Sequence, residues 1–149
     1  MANMDKLTEK QVAHGVSATL SGTTPATGNI VDMDGFDSLT YALQTGAVTD
    51  AGTSAGFTMK LQHSETTTGA DFADCVAADM VGGVLTLAVT DDADDSVAVG
   101  MLGYIGTKRY VRAVVTGTTG TDAVVNAVAI KECGRYAPVA QAAANIAAA

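Results

Sequence analysis

The sequence predicts an all-β chain: a β-sandwich or jelly-roll-like single domain with flexible termini. Three observations predict it. Short runs alternate apolar and polar residues, the period-2 pattern of half-buried strands. Gly, Thr, Ser and Asp interrupt these runs at close intervals, as turns do. Little of the chain carries helical spacing, and many short strands with close turns suit two packed sheets. At 149 residues the chain is one domain by length and can bury a core without disulfides or metals.

Residues 1–27 read as an N-terminal segment that fits an arm with one strand, a weak one near residues 12–20. Residues 28–136 read as the sandwich domain. Within it a weak strand is expected at 28–31. The run LTYALQT then places Leu39, Tyr41 and Leu43 on one face. FTMKLQ does the same with Phe57, Met59 and Leu61. The intervening GAVTDAGTSAG (residues 46–56) reads as a flexible loop, so the two runs are expected to pair as a hairpin.

Residues 71–80 fit one short helical turn. Weak strands are expected near 84–89 and 97–105. Between them Asp91, Asp92, Asp94 and Asp95 must be solvated, because adjacent carboxylates repel and are costly to bury. Such a cluster suggests calcium, but the central Gly and twelfth-position Glu of an EF-hand loop are missing. It is read as a turn.

The clearest unit spans residues 108–131. KRYVRAVVT puts Lys108, Tyr110, Arg112 and Val114 on one face and Arg109, Val111, Ala113 and Val115 on the other. After the turn GTTGTD, the return strand AVVNAVAIK is apolar almost throughout, as a strand buried on both faces would be. Residues 137–149 form an Ala-rich C-terminal arm. Alanine favours helix, but the arm has no amphipathic stripe and is too short to be stable alone.

Composition narrows the function classes. Charged residues make up only 16% and hydrophobic ones 48%, which is low in charge for a lone soluble monomer and suits contact with protein. Residues 1–103 hold three basic and fourteen acidic side chains, whereas residues 104–149 hold five basic against two acidic. Such polarity helps set register between partners. It gives no broad basic face, and aromatics are 5% with no Trp, so nucleic acid is not an expected partner. No run approaches the length of a membrane span, and no signal peptide is evident. Cys75 and Cys133 match no metal or redox spacing and are expected to be free thiols in a reducing cytosol.

No catalytic pattern is present. His14 and His63 lie in no HExxH arrangement, and no Gly-x-Ser-x-Gly or phosphate-binding loop occurs. The expectation is a non-enzymatic protein with no cofactor and no metal. The candidate residues are a protein interface at the basic end: Lys108, Arg109, Arg112, Lys131, Arg135, Tyr136 and Pro138. Arg and Tyr are favoured anchors at such interfaces.

Three stretches carry a resemblance: FDSLTYALQTG (36–46), FTMKLQHS (57–64) and GYIGTKRYVR (103–112), followed by the closing RYAPV (135–139). Together they resemble capsid cement or decoration proteins, small head proteins of tailed bacteriophages encoded beside the major capsid protein. The resemblance spans residues 28–139. It implies a jelly-roll-like protein on the capsid exterior of the virion, made in the host bacterial cytoplasm. It also implies that the protein bridges subunits of the major capsid protein and associates with itself as a dimer or trimer. A head-fibre base or host-recognition β-module is the alternative, and a tail or connector subunit a further one. The acidic excursion at 81–100 and the arm beyond Val139 depart from that pattern.

Overall fold

The computed structural model describes residues 9–49, 56–89 and 98–135. The acidic cluster at 91–95, most of the loop before Phe57, Tyr136, Pro138 and the Ala-rich arm lie outside the described residues. The described chain is all β, with three single 3₁₀ turns at Gly69–Asp71, Ala77–Asp79 and Val81–Gly83. The helical turn expected within 71–80 is thus two separate 3₁₀ turns flanking a two-residue strand.

The strands in chain order are β1 (Gln11–Ser21), β2 (Ala26–Thr27), β3 (Val31–Asp32), β4 (Phe36–Val48) and β5 (Phe57–Ser64). They are followed by β6 (Ala73–Asp74), β7 (Thr86–Val89), β8 (Ala98–Tyr104), β9 (Tyr110–Gly117) and β10 (Asp122–Gly134). Two antiparallel sheets form. The first runs β1-β10-β4-β8. In the second, β9 and β5 are central, with β2 and β3 pairing β9 and with β6 and β7 pairing β5. Apart from the passage β5–β6–β7, each longer connection leaves one sheet and enters the other. This order is a jelly roll.

That topology corrects two expectations. β4 and β5 are not a hairpin: β4 pairs β10 and β8 in the first sheet, while β5 pairs β9, β7 and β6 in the second. Nor is the 108–131 unit a hairpin, since β9 and β10 lie in opposite sheets. Both pairs are sequence neighbours joined by glycine-rich sequence, but each strand has one strongly apolar face. Facing each other across the core buries both faces, whereas pairing edge to edge would not. β1 is likewise a full sheet strand: its register with β10 runs from Gln11↔Lys131 to Ser21↔Asp122. It belongs to the sandwich rather than to an arm.

The alternations predicted from sequence decide which side chains enter the core. Leu39, Tyr41 and Leu43 of β4 face Phe57, Met59 and Leu61 of β5, all essentially fully buried. Val111, Ala113 and Val115 from β9 and Val125, Ala127 and Ala129 from β10 complete the interior. β10 is central in its sheet, as its composition suggested, but it is not buried on both faces. Val128 is 45% exposed, and Val124 and Ile130 are half-buried. The outer face of the first sheet therefore carries more apolar surface than a solvated face requires.

One close approach fixes the β1–β10 geometry. A Cβ on Gly15 would lie 2.4 Å from the Ala127 carbonyl oxygen and 3.0 Å from the Tyr41 ring. Gly15 sits where the register shifts between His14 and Val16, a bulge that only a residue without a side chain can occupy.

Candidate functional site

The basic residues singled out by sequence fall into three places. Lys108, Arg109 and Arg135 come together on a cleft of about 390 Å³ at one end of the sandwich. Its walls are the turn Met33, Asp34, Gly35, Phe36, Asp37 and the connection through Ile105, Gly106 and Thr107. Lys131 lies behind it, with Nζ 4.4 Å from the centre of the Phe36 ring and 3.3 Å from the Asp32 carbonyl oxygen. Arg112 is elsewhere, on the outer side of the second sheet, stacked 4.1 Å over Phe72. Tyr136 and Pro138 are outside the described residues.

Local rules build the cleft. The Asp32 carboxylate accepts a hydrogen bond from Asp34 N at 2.9 Å, an Asx turn that reverses the chain after β3. Gly35 at φ +82° completes the reversal, and its carbonyl accepts from Arg135 N at 2.9 Å. On the opposite wall the Tyr104 hydroxyl accepts from Lys108 N at 3.0 Å and folds the 105–108 connection back on itself. Gly106 is required there, because a Cβ would fall 2.6 Å from the Tyr104 ring.

The charges of the cleft are paired within the chain. Arg109 grips Asp32 through two bonds of 2.9 and 2.8 Å, with Asp34 at 3.7 Å. Lys108 meets Glu65 at 2.9 Å, and Arg135 meets Asp37 at 2.8 Å. These contacts hold the Asp32 and Glu65 carboxyls below their usual range, each chiefly through the hydrogen bond from its cationic partner. Burial pushes the Lys131 amine down. The polarity seen along the sequence is thus joined head to tail inside one molecule: cations of the 104–149 half meet carboxylates of the first half. Among the described residues the cleft is lined by ion-paired side chains, and what they do there is hold its two walls together.

A second polar group, which no spacing in the sequence announces, sits between the sheets and the 77–83 turns. His63 Nδ1 is 3.1 Å from the Tyr104 hydroxyl and 3.7 Å from an Asp79 carboxylate oxygen, and the His63 and Tyr104 rings meet edge to face. Cys75 is buried nearby, and desolvation pushes its thiol up to about 12, so it is a neutral core thiol rather than a nucleophile. Cys133 is also free, and exposed. Among the described residues no group of three His, Cys, Asp or Glu is placed to hold a metal. Among the described residues no helix is long and apolar enough to cross a membrane.

Apolar exposure is concentrated. Of nine exposed large hydrophobic residues among those described, six lie between 76 and 105: Val76, Val81, Val84, Leu85, Met101 and Ile105. Val81 packs against Gly103 of β8, Met80 bridges to Tyr104 and Ile105 N bonds the Asp79 carbonyl oxygen, so the 77–83 turns run along the β8 edge of the first sheet beside exposed Met101 and Ile105. Exposed apolar residues gathered in one stretch of the chain are a feature of surfaces that meet another macromolecule. Sequence reading missed it because Val76 and Val81 lie in turns, and the weak strands expected near 84–89 and 97–105 do not by themselves show which of their side chains stay exposed.

No protein-family model matches the chain, and no curated protein matches it. Among solved structures it is similar to PirA, at 10% identity and a TM-score of 0.35, covering 80% of this chain and 94% of that one. It is also similar to the SPBc2 prophage-derived protein YomS, at 14% identity and a TM-score of 0.33, covering 82% and 93%. A third likeness is a low-affinity xylan-binding module from the gut symbiont Roseburia intestinalis, at 12% identity and a TM-score of 0.21, covering 86% and 92%. With TM-scores this low, none of the three carries a functional argument.

Proposed function

We propose that this chain is a virion structural protein that decorates the outside of a tailed-phage head and bridges subunits of the major capsid protein. The observation that carries the reading is the concentration of exposed apolar side chains at the β8 edge and in the segment that runs beside it: Val81, Val84, Leu85, Met101 and Ile105. A rigid jelly roll that keeps its own charges paired and offers an apolar edge suits repeated lateral docking. Many modest contacts on a symmetric shell hold by multivalency without one strong site. The low overall charge of the sequence and its resemblance to head decoration proteins point the same way. Self-association as a dimer or trimer is part of the proposal, since bridging several subunits favours a matching symmetry.

The test is a cryo-electron-microscopy reconstruction of the particle that contains the chain. Density on the outer shell, seated between capsid subunits with the β8 edge against them, is the expected result. Density confined to the tail or to a fibre overturns the proposal. In a parallel binding assay on shells stripped of this protein, Val81→Asp with Leu85→Asp should lower occupancy about tenfold or more, as losing central apolar anchors does.

A further inference from the structure

The two sheets differ on their outer faces. On the second, Lys60 pairs with Asp74 at 2.6 Å and Arg112 donates to Gln62 at 2.8 Å, so ions and hydrogen bonds suit that face to water. On the first, strand register sets the outward side chains in rows across β1, β10, β4 and β8. One central row holds His14, Val128, Ala42 and Met101, and the next holds Ser17, Asn126, Gln44 and Ala98. Uncharged rows flank them, through Val12 and Ile130 on one side and Thr19 and Val124 on the other. Among the described residues, Asp, Glu, Lys and Arg are absent from these four rows. Charge stands at the two ends, where Glu132 accepts from Lys10 and from Thr40 of the flanking row, and where Asp122 opens β10.

The face is open and shaped. Met101 is 66% exposed, Val12 48% and Val128 45%. Met101 and Val128 wall a groove of about 420 Å³ whose floor is the small Ala42. Large and small side chains alternate between the two central rows: Met101 with Ala98 on β8, Gln44 with Ala42 on β4, and His14 with Ser17 on β1. A two-fold axis lying in the face between these rows, across the strands, sets each large side chain of one copy on the small one of the other. That is the self-complementarity an isologous contact needs. Aligned sheets pack in this way about 10 Å apart.

We propose that two copies of this chain pack first sheet against first sheet about that axis. Area and charge both support a second copy as the occupant. Four strands about 4.8 Å apart and four rows about 7 Å apart span about 500 Å² of flat face. Two copies then cover about 1,000 Å², the size a specific interface must reach, and side-chain relief adds to it. The chain carries a net charge of −8, so two copies repel over most of their surface. This uncharged face is where they meet with least repulsion. The inference rests on the self-association in the reading above and gives it a surface. The capsid contact stays with the β8 edge and the 81–85 segment, with Met101 at the border between the two.

The experiment is sedimentation velocity of the purified full chain over a dilution series from about 1 to 200 μM, since mass action makes a dimer concentration-dependent. A monomer–dimer equilibrium is expected. Gln44→Asp/Val128→Asp sets four carboxylates at the centre of the pair and should raise the dissociation constant about a hundredfold or more. Thr58→Asp, on the outer face of the second sheet, should leave it unchanged. A second readout needs no variant. In dilute hydrogen peroxide, wild-type Met101 should oxidise about threefold more slowly at the top of the series than at the bottom, because thioether oxidation follows exposure. Fully buried Met59 should be constant in the same samples and so report an intact core. A monomer throughout the series overturns the proposal. So does a trimer, or a dimer that Gln44→Asp/Val128→Asp leaves intact. A Met101 rate independent of concentration overturns it too, by showing that no second copy covers the groove. These readouts use no shell, so a failure here and a failure of the capsid contact are told apart.

Discussion

Two tyrosines show how much a hydroxyl's surroundings decide. Both side chains are fully buried, but the Tyr104 hydroxyl bonds to Lys108 N and His63, whereas the Tyr41 hydroxyl has no partner among the described residues. Tyr104→Phe strands the Lys108 N–H and His63 Nδ1 and is expected to cost about 1–3 kcal/mol. Tyr41→Phe removes a desolvated group that gains nothing, so it is expected to be neutral or stabilising by up to about 2 kcal/mol. Urea unfolding of the two variants checks this, and equal losses would contradict it. Acid titration offers a second check. A carboxyl whose folded pKa lies below its unfolded value stabilises the protein above the unfolded pKa, and that contribution is lost as pH falls through the folded one. Asp32 is such a group, so Asp32→Asn should flatten the fall in Tm below about pH 4, where model carboxyls begin to protonate. Thiol reactivity separates the cysteines: a disulfide reagent should modify Cys133 promptly and Cys75 only on unfolding.

At the level of elements, the β1 bulge is the most exacting feature. Gly15→Ala drives a methyl into the Ala127 carbonyl and should destabilise by about 1–3 kcal/mol, readable as a shift in denaturant midpoint at constant m. Individual strands were legible in the sequence because one face of each is buried: the alternation in LTYALQT and FTMKLQ maps directly onto inward and outward side chains. Their partners were not legible. A glycine-rich link between two alternating runs is compatible with a hairpin or with a crossing between sheets, and only burial of both apolar faces decides. The same ambiguity hid the outer face of β10, whose valines look like a doubly buried strand until the sheet is seen to have one covered side. The candidate residues were half legible. The charge asymmetry is real, but its use within the chain depends on long-range pairs such as Asp32–Arg109 that no spacing reveals. The His63–Tyr104–Asp79 group and the apolar exposure beside β8 are assembled by tertiary structure alone.

For the molecule as a whole, the jelly roll replaces local pairing with distant pairing. β1 meets β10 across nearly the full chain, and β4 meets β10 as well. Loop closure must precede these contacts, so refolding is expected in milliseconds to seconds, and a stopped-flow phase complete within microseconds would contradict that. The pairing of first and last strands has a further consequence. Gly134 N bonds the Glu9 carbonyl oxygen at 3.1 Å, so the described chain begins and ends at the same pole. A short peptide could therefore close the polypeptide into a ring there, and the ring could be reopened between β4 and β5 with every strand register kept. The protein is in this sense a natural scaffold for circular permutation, and the choice of opening decides at which pole of the sandwich a fused peptide would be presented.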